Sequence, residues 1–127
     1  CTDAVVCQDP TGPGSYPSTP NLTIPDNDPN GISDTIDVDV TGKTTQVKIS
    51  VVVAHPHRGD VRITLTKDGE EAIVFDQVGG SNDDIIDIFE VRSLVGVEAK
   101  GTWTLRVIDN ATGDEGVLES WTLDVST

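Results

Sequence analysis

Ala54-His55-Pro56-His57-Arg58-Gly59-Asp60-Val61-Arg62-Ile63-Thr64-Leu65 sets a histidine-bearing turn directly before an alternating strand. Val61, Ile63 and Leu65 recur at every second position, the period of a strand with one buried face. Pro56 biases the residue before it away from helix, so the two histidines belong to a turn and not to one strand face. The stretch also offers chemistry. His55 and His57 are residue types that bind metals or move protons, and Arg58-Gly59-Asp60 spells a cell-adhesion tripeptide. The rest of the chain has to decide between these readings.

Outward from this stretch the pattern is β throughout. Residues 36–40 alternate Ile36, Val38 and Val40 with Asp37 and Asp39. Residues 46–54 alternate at first and then become apolar on both faces, which marks a central strand. After residues 60–66, Asp68-Gly69 is a hairpin turn signal leading to a partner strand at 72–75. Residues 85–89 read as a short edge strand. Trp103, Leu105 and Val107 share one face of residues 102–108, and Trp121, Leu123 and Val125 one face of residues 120–125. No helical period survives beyond a turn. The expected fold is all-β, an antiparallel β-sandwich of jelly-roll type.

At 127 residues the chain holds one core, large enough to fold without metals or disulfides. Its net charge of −14 makes nucleic acid a poor partner, and an anionic membrane surface equally so. The acidity has two compatible readings. It is a solvated surface that keeps the protein soluble, or some carboxylates converge on Ca²⁺, which takes about six to eight oxygens. No apolar run approaches the roughly 20 residues of a membrane span, and no signal-peptide core is present. The chain starts at Cys1 without an initiator Met, as expected of a mature fragment or a piece of a longer protein.

Residues 1–20 are rich in Pro, Gly, Ser and Thr and read as an extracellular linker, leaving 21–127 as the domain. Cys1 and Cys7 suit a small disulfide loop in an oxidising compartment better than free thiols; a partner beyond Cys1 is the alternative. Asn21-Leu22-Thr23 and Asn110-Ala111-Thr112 are glycosylation sequons, relevant only in a eukaryotic source.

Nucleophilic catalysis finds little support: no Ser sits in a Gly-x-Ser-x-Gly elbow, and neither Cys has a base beside it. His55 is expected to hydrogen-bond a loop carbonyl and His57 to be solvated. The tripeptide runs into a strand, which argues against adhesion. Trp103 and Trp121 form either core or, as in carbohydrate-binding jelly rolls, a sugar platform; their aliphatic strand-mates favour core. The acidic loops around Asp26 and Asp28, and around Asp109 and Asp114, space oxygens about glycine-containing turns in a way that suits Ca²⁺.

The ordered set of short motifs resembles the P domain of proprotein convertases, the P/Homo B domain found beside bacterial secreted peptidases. The matching pieces begin with Ile24-Pro25-Asp26-Asn27 and Gly31-Ile32. The strand ending at His55 follows, then Gly59-Asp60-Val61-x-Ile63-x-Leu65 and Asp68-Gly69. Gly79-Gly80-Ser81-Asn82-Asp83-Asp84-Ile85 comes next, then Gly101-Thr102-Trp103-Thr104-Leu105-x-Val107-x-Asp109. Asp114-x-Gly116-x-Leu118-x-x-Trp121-x-Leu123 completes the set. The chain departs from the family at Thr66-Lys67-Asp68-Gly69-Glu70, where Ser-Pro-x-Gly-Thr is frequent. It departs again at Asp83-Asp84, where Asp-Asn is usual.

The resemblance implies a galactose-binding-domain-like jelly roll that is not itself catalytic. Its expected partner is a subtilisin-like serine protease domain or a metalloprotease domain in the same parent chain, which it stabilises or regulates, with a protein substrate as a further partner. A secreted monomer is expected. Calcium is the expected cofactor, with Asp26, Asp28, Asp60, Asp83, Asp84, Asp109 and Asp114 as candidate ligands. A carbohydrate-binding module using an exposed Trp is the alternative.

Overall fold

The computed structural model describes residues 14–113 and 115–127. Among the described residues nine strands form two antiparallel sheets packed face to face, the all-β sandwich expected from the alternation. β1 (Gly14–Ser18), β2 (Leu22–Ile24), β4 (Gln46–Ala54), β7 (Ile85–Glu90) and β9 (Gly116–Ser126) make one sheet, ordered β1-β9-β4-β7 with β2 also on β9. β3 (Ile32–Val38), β5 (Val61–Lys67), β6 (Glu70–Asp76) and β8 (Gly101–Asp109) make the other, ordered β3-β8-β5-β6. No helix of the described residues is long and apolar enough to cross a membrane.

Each sheet turns its alternating aliphatic residues inward. Val47, Ile49, Val51 and Val53 of β4 are buried, facing Val61, Ile63 and Leu65 of β5 across the core, with Trp103 and Trp121 among its largest members. β4 is central, as expected, between β9 and β7. In β9, Leu118 and Trp121 both point inward although three residues apart. A register shift between Val52 and Val53 of β4 makes this possible: Ser120 pairs with Val52 and Leu118 with Val53, so Glu119 bulges out. Polar bonds also span the sheets, among them the Trp121 indole N–H to Asp34 Oδ2 at 2.8 Å.

Two strands depart from the sequence expectation. Residues 14–18, assigned to the linker by composition, form β1 and pair with residues 121–125 of β9. Ser18 then donates to Asp34 Oδ2 at 2.6 Å, beside Trp121. Leu22–Ile24 pairs with residues 116–118 of β9. Both segments lie on the same edge of one long strand, which supplies the pairing groups their own composition does not announce. Cys1 and Cys7, and the loop they were expected to close, lie outside the described residues.

Candidate functional site

The turn after β4 is built around His55, at one end of the sandwich. His55 is 1% exposed. Its Nδ1 accepts the His57 N–H at 2.9 Å, so that nitrogen carries no proton. The proton therefore sits on Nε2, which donates to Asp109 Oδ2 at 2.9 Å. Both side chains are 0% exposed. The other carboxylate oxygen of Asp109 accepts the Ala111 N–H at 3.0 Å. The expected loop carbonyl is thus replaced by a buried carboxylate. His57 is solvated as expected, its side chain 47% exposed.

Asp84 reaches the same histidine from the β6–β7 loop. Its Oδ1 accepts the His55 N–H at 2.9 Å and its own N–H donates to the His55 carbonyl at 2.8 Å. Asp84 holds φ of 58°, a conformation that Asp and Asn tolerate better than most side chains.

Two glycines allow this close approach. A Cβ on Gly59 would lie 2.8 Å from the Gly80 carbonyl oxygen, whereas the bare backbone accepts a Gly59 N–H bond to that oxygen at 3.0 Å. A Cβ on Gly116 would meet the Ala54 carbonyl oxygen at 2.6 Å and the His55 ring at 2.7 Å. The imidazole lies where only glycine leaves room.

Arg58-Gly59-Asp60 is a single 3₁₀ turn, not a loop tip. The guanidinium lies 5.1 Å from the centre of the Phe75 ring, with Nη1 donating to the Asp84 carbonyl at 3.3 Å. The adhesion reading fails because the arginine is already engaged. The sugar-platform alternative fails on burial: Trp103 and Trp121 are 0% and 1% exposed. Their indole N–H groups are taken up by the Ala99 carbonyl and Asp34.

The candidate calcium ligands are not gathered around one centre among the described residues. Asp84 and Asp109 converge on His55. Asp60 lies near them, its Oδ2 4.0 Å from His57 Nδ1. Asp26 uses both carboxylate oxygens on the Gly113 N–H, at 3.1 and 3.2 Å, and so ties the β2–β3 loop to the β8–β9 loop. Asp28 accepts the Asn30 N–H at 2.9 Å, and Asp83 is exposed. Asp114 lies outside the described residues. No group of three or more His, Cys, Asp or Glu among the described residues could hold a metal ion. The carboxylates that come closest together spend their lone pairs on N–H donors, so the described set does not fit a calcium cage.

The His55–Asp109 partnership is the functional feature that pattern reading missed. Its signal was present: the two residues end two separate motif pieces, and β4 and β8 lie in different sheets. Only the fold brings the strand ends together.

Taken together, a two-sheet jelly roll closed at one end by a buried histidine–carboxylate clasp defines a small sandwich module. The chain belongs to the proprotein convertase P-domain family, whose profile matches residues 44–125. It is 34% identical over 116 residues to leupeptin-inactivating enzyme 1 of Streptomyces exfoliatus, covering 88% of this chain and 26% of that protein. It is 33% identical over 95 residues to a calcium-dependent protease of Nostoc sp., covering 67% of this chain and 14% of that protein. In fold it resembles the crystal structure of Aeromonas sobria serine protease with its chaperone. There the TM-score is 0.74 at 19% identity, over 94% of this chain and 28% of that one. The chain thus spans roughly a quarter or less of the curated relatives named here.

Proposed function

We propose that this chain is the non-catalytic accessory domain of a secreted peptidase, which it stabilises or regulates. The observation that carries the reading is the closed clasp in a P-domain chain. His55 and Asp109, the two residues a hydrolase would most readily use, are 0% exposed and bonded to each other and to backbone N–H groups. Among the described residues neither side chain is exposed to an incoming substrate. The names of the relatives, and the small share of each that this chain covers, support a larger peptidase around the domain. A subtilisin-like serine protease is the favoured parent and a metalloprotease the alternative. A Ser/His/Asp set or a His-Glu-x-x-His helix elsewhere in the parent distinguishes them. Protein-substrate engagement is a further role of the same domain.

A rigid module tethered to its partner stabilises it by mass action at high effective concentration. Removing residues 14–127 from the parent peptidase therefore shortens its half-life at elevated temperature while leaving initial turnover of a small peptide unchanged. An unchanged half-life, or peptidase activity in the isolated domain, contradicts the proposal.

Calcium enters the proposal through the name of the Nostoc relative alone. Calcium binding by the domain raises the melting temperature with Ca²⁺ beyond that with Mg²⁺ at equal ionic strength, and EDTA reverses it. Identical melting in all three conditions removes calcium from the account.

A further inference from the structure

Val52 of β4 with Ile86 and Ile88 of β7 forms an apolar face that the sandwich leaves uncovered. Register sets Val52 opposite Ile86 and Ser50 opposite Ile88. These positions point away from the core, because Val51, Val53 and Ile85 beside them are buried. Ile86 and Ile88 are 70% and 66% exposed, around a shallow depression of about 400 Å³. Farther along the same outer face, β9 carries Ser120, Thr122 and Asp124 opposite Val52, Ser50 and Lys48. The aliphatic cluster therefore breaks the polar alternation expected of a solvated sheet face and marks a contact surface.

β7 ends its sheet, so an incoming strand is one conceivable occupant. Asp87 opposes that mode. It pairs with buried Val51, which sets it on the inter-sheet side of the edge, where it stays exposed, and its Oδ1 accepts the Ile88 N–H at 2.9 Å. An inward charge at an edge blocks edge-to-edge pairing. A second copy is opposed by charge: each carries −14, and Asp83, Asp87 and Glu90 flank the patch in sequence, with Lys48 opposite Glu90. The occupant that fits is an apolar surface with Lys or Arg at its margin. Relatives carry such a domain as 14–26% of their length, which supplies a large covalently joined neighbour.

We propose that Val52, Ile86 and Ile88 form the surface on which the peptidase portion of the same parent chain docks, meeting it with apolar side chains rimmed by Lys and Arg. This rests on the function proposed above. The test uses the full parent peptidase carrying Ile86→Ser and Ile88→Ser together. Ile73→Ser, at a 56% exposed position on the other sheet, serves as control. The double variant loses the single melting transition of the unsubstituted parent, which splits in two, and its radius of gyration by X-ray scattering rises; the control changes neither. Blue-shifted emission from buried Trp103 and Trp121 verifies that the domain remains folded. An unsplit transition and unchanged radius in the double variant overturn the proposal. So does a concentration-dependent dimer of the parent that the double variant abolishes, which would make a second copy the occupant. A parent without peptidase activity overturns the function itself, in an assay independent of melting and scattering.

Discussion

Gly116 and His55 set a tight steric condition at the end of the sandwich. A methyl group at 116 would meet the Ala54 carbonyl and the imidazole edge at 2.6 and 2.7 Å, so Gly116→Ala must displace the ring or the strand. The expected cost is about 1–3 kcal/mol, read from urea denaturation; a loss below about 0.5 kcal/mol contradicts the clasp as described. Tyr16 gives a second residue-level outcome. Burial first, and then its hydrogen bond to Asp39 at 2.7 Å, raise its pKa above 10.0. A raised folded-state value means that the protonated phenol favours the fold. That contribution is present below about pH 10 and is lost as pH rises through the folded-state value. Tyr16→Phe should remove this alkaline component from a pH series of melting temperatures, and an unchanged slope above pH 10 would contradict it. At this scale the sequence identified His55, Asp109 and Asp84 as unusual but not as partners. Partnership depends on where strand ends meet, and residue spacing along the chain carries no such information.

β1 shows how pairing overrides composition. Gly14-Ser15-Tyr16-Pro17-Ser18 has the look of a linker, yet it covers the edge of β9 opposite β4 and brings Ser18 to Asp34 beside Trp121. Deleting residues 1–18 should therefore lower the urea midpoint, by roughly 1–3 kcal/mol in stability, and promote association through the exposed edge. A truncated protein with an unchanged midpoint would return this segment to the linker. Elements with strong local signals were legible. Gln46–Ala54 is β-branched and turns apolar on both faces, as a central strand does, and Asp68-Gly69 turns β5 into β6 with φ of 52° and 82°. The bulge at Glu119 was not legible, because it is a property of how β9 lies on β4.

The whole molecule is a strongly acidic sandwich with most of its aliphatic residues on the inner faces; Ile86 and Ile88 beside Val52 are clustered on the outside, whereas Ile73, Val78 and Val95 are exposed elsewhere. Mutual repulsion among surface carboxylates opposes the compact state, so salt should stabilise it. Raising ionic strength from ~0.01 M to ~1 M shortens the screening length from about 30 to 3 Å, and the melting temperature should rise accordingly. A falling melting temperature would mean that attractive ion pairs dominate instead. The fold class and family were legible because strand period and ordered motifs are distributed over the whole chain. The clasp and the docking face were not, since each joins side chains from strands distant in sequence.

Asp109→Ala in the full parent peptidase tests the central claim most directly, because it separates a structural clasp from a catalytic pair. The substitution strands the His55 Nε2–H and the Ala111 N–H in a closed site, a loss of about 2–4 kcal/mol in domain stability. The account predicts a lower melting temperature with turnover per folded molecule unchanged; turnover lost at an unchanged melting temperature would contradict it.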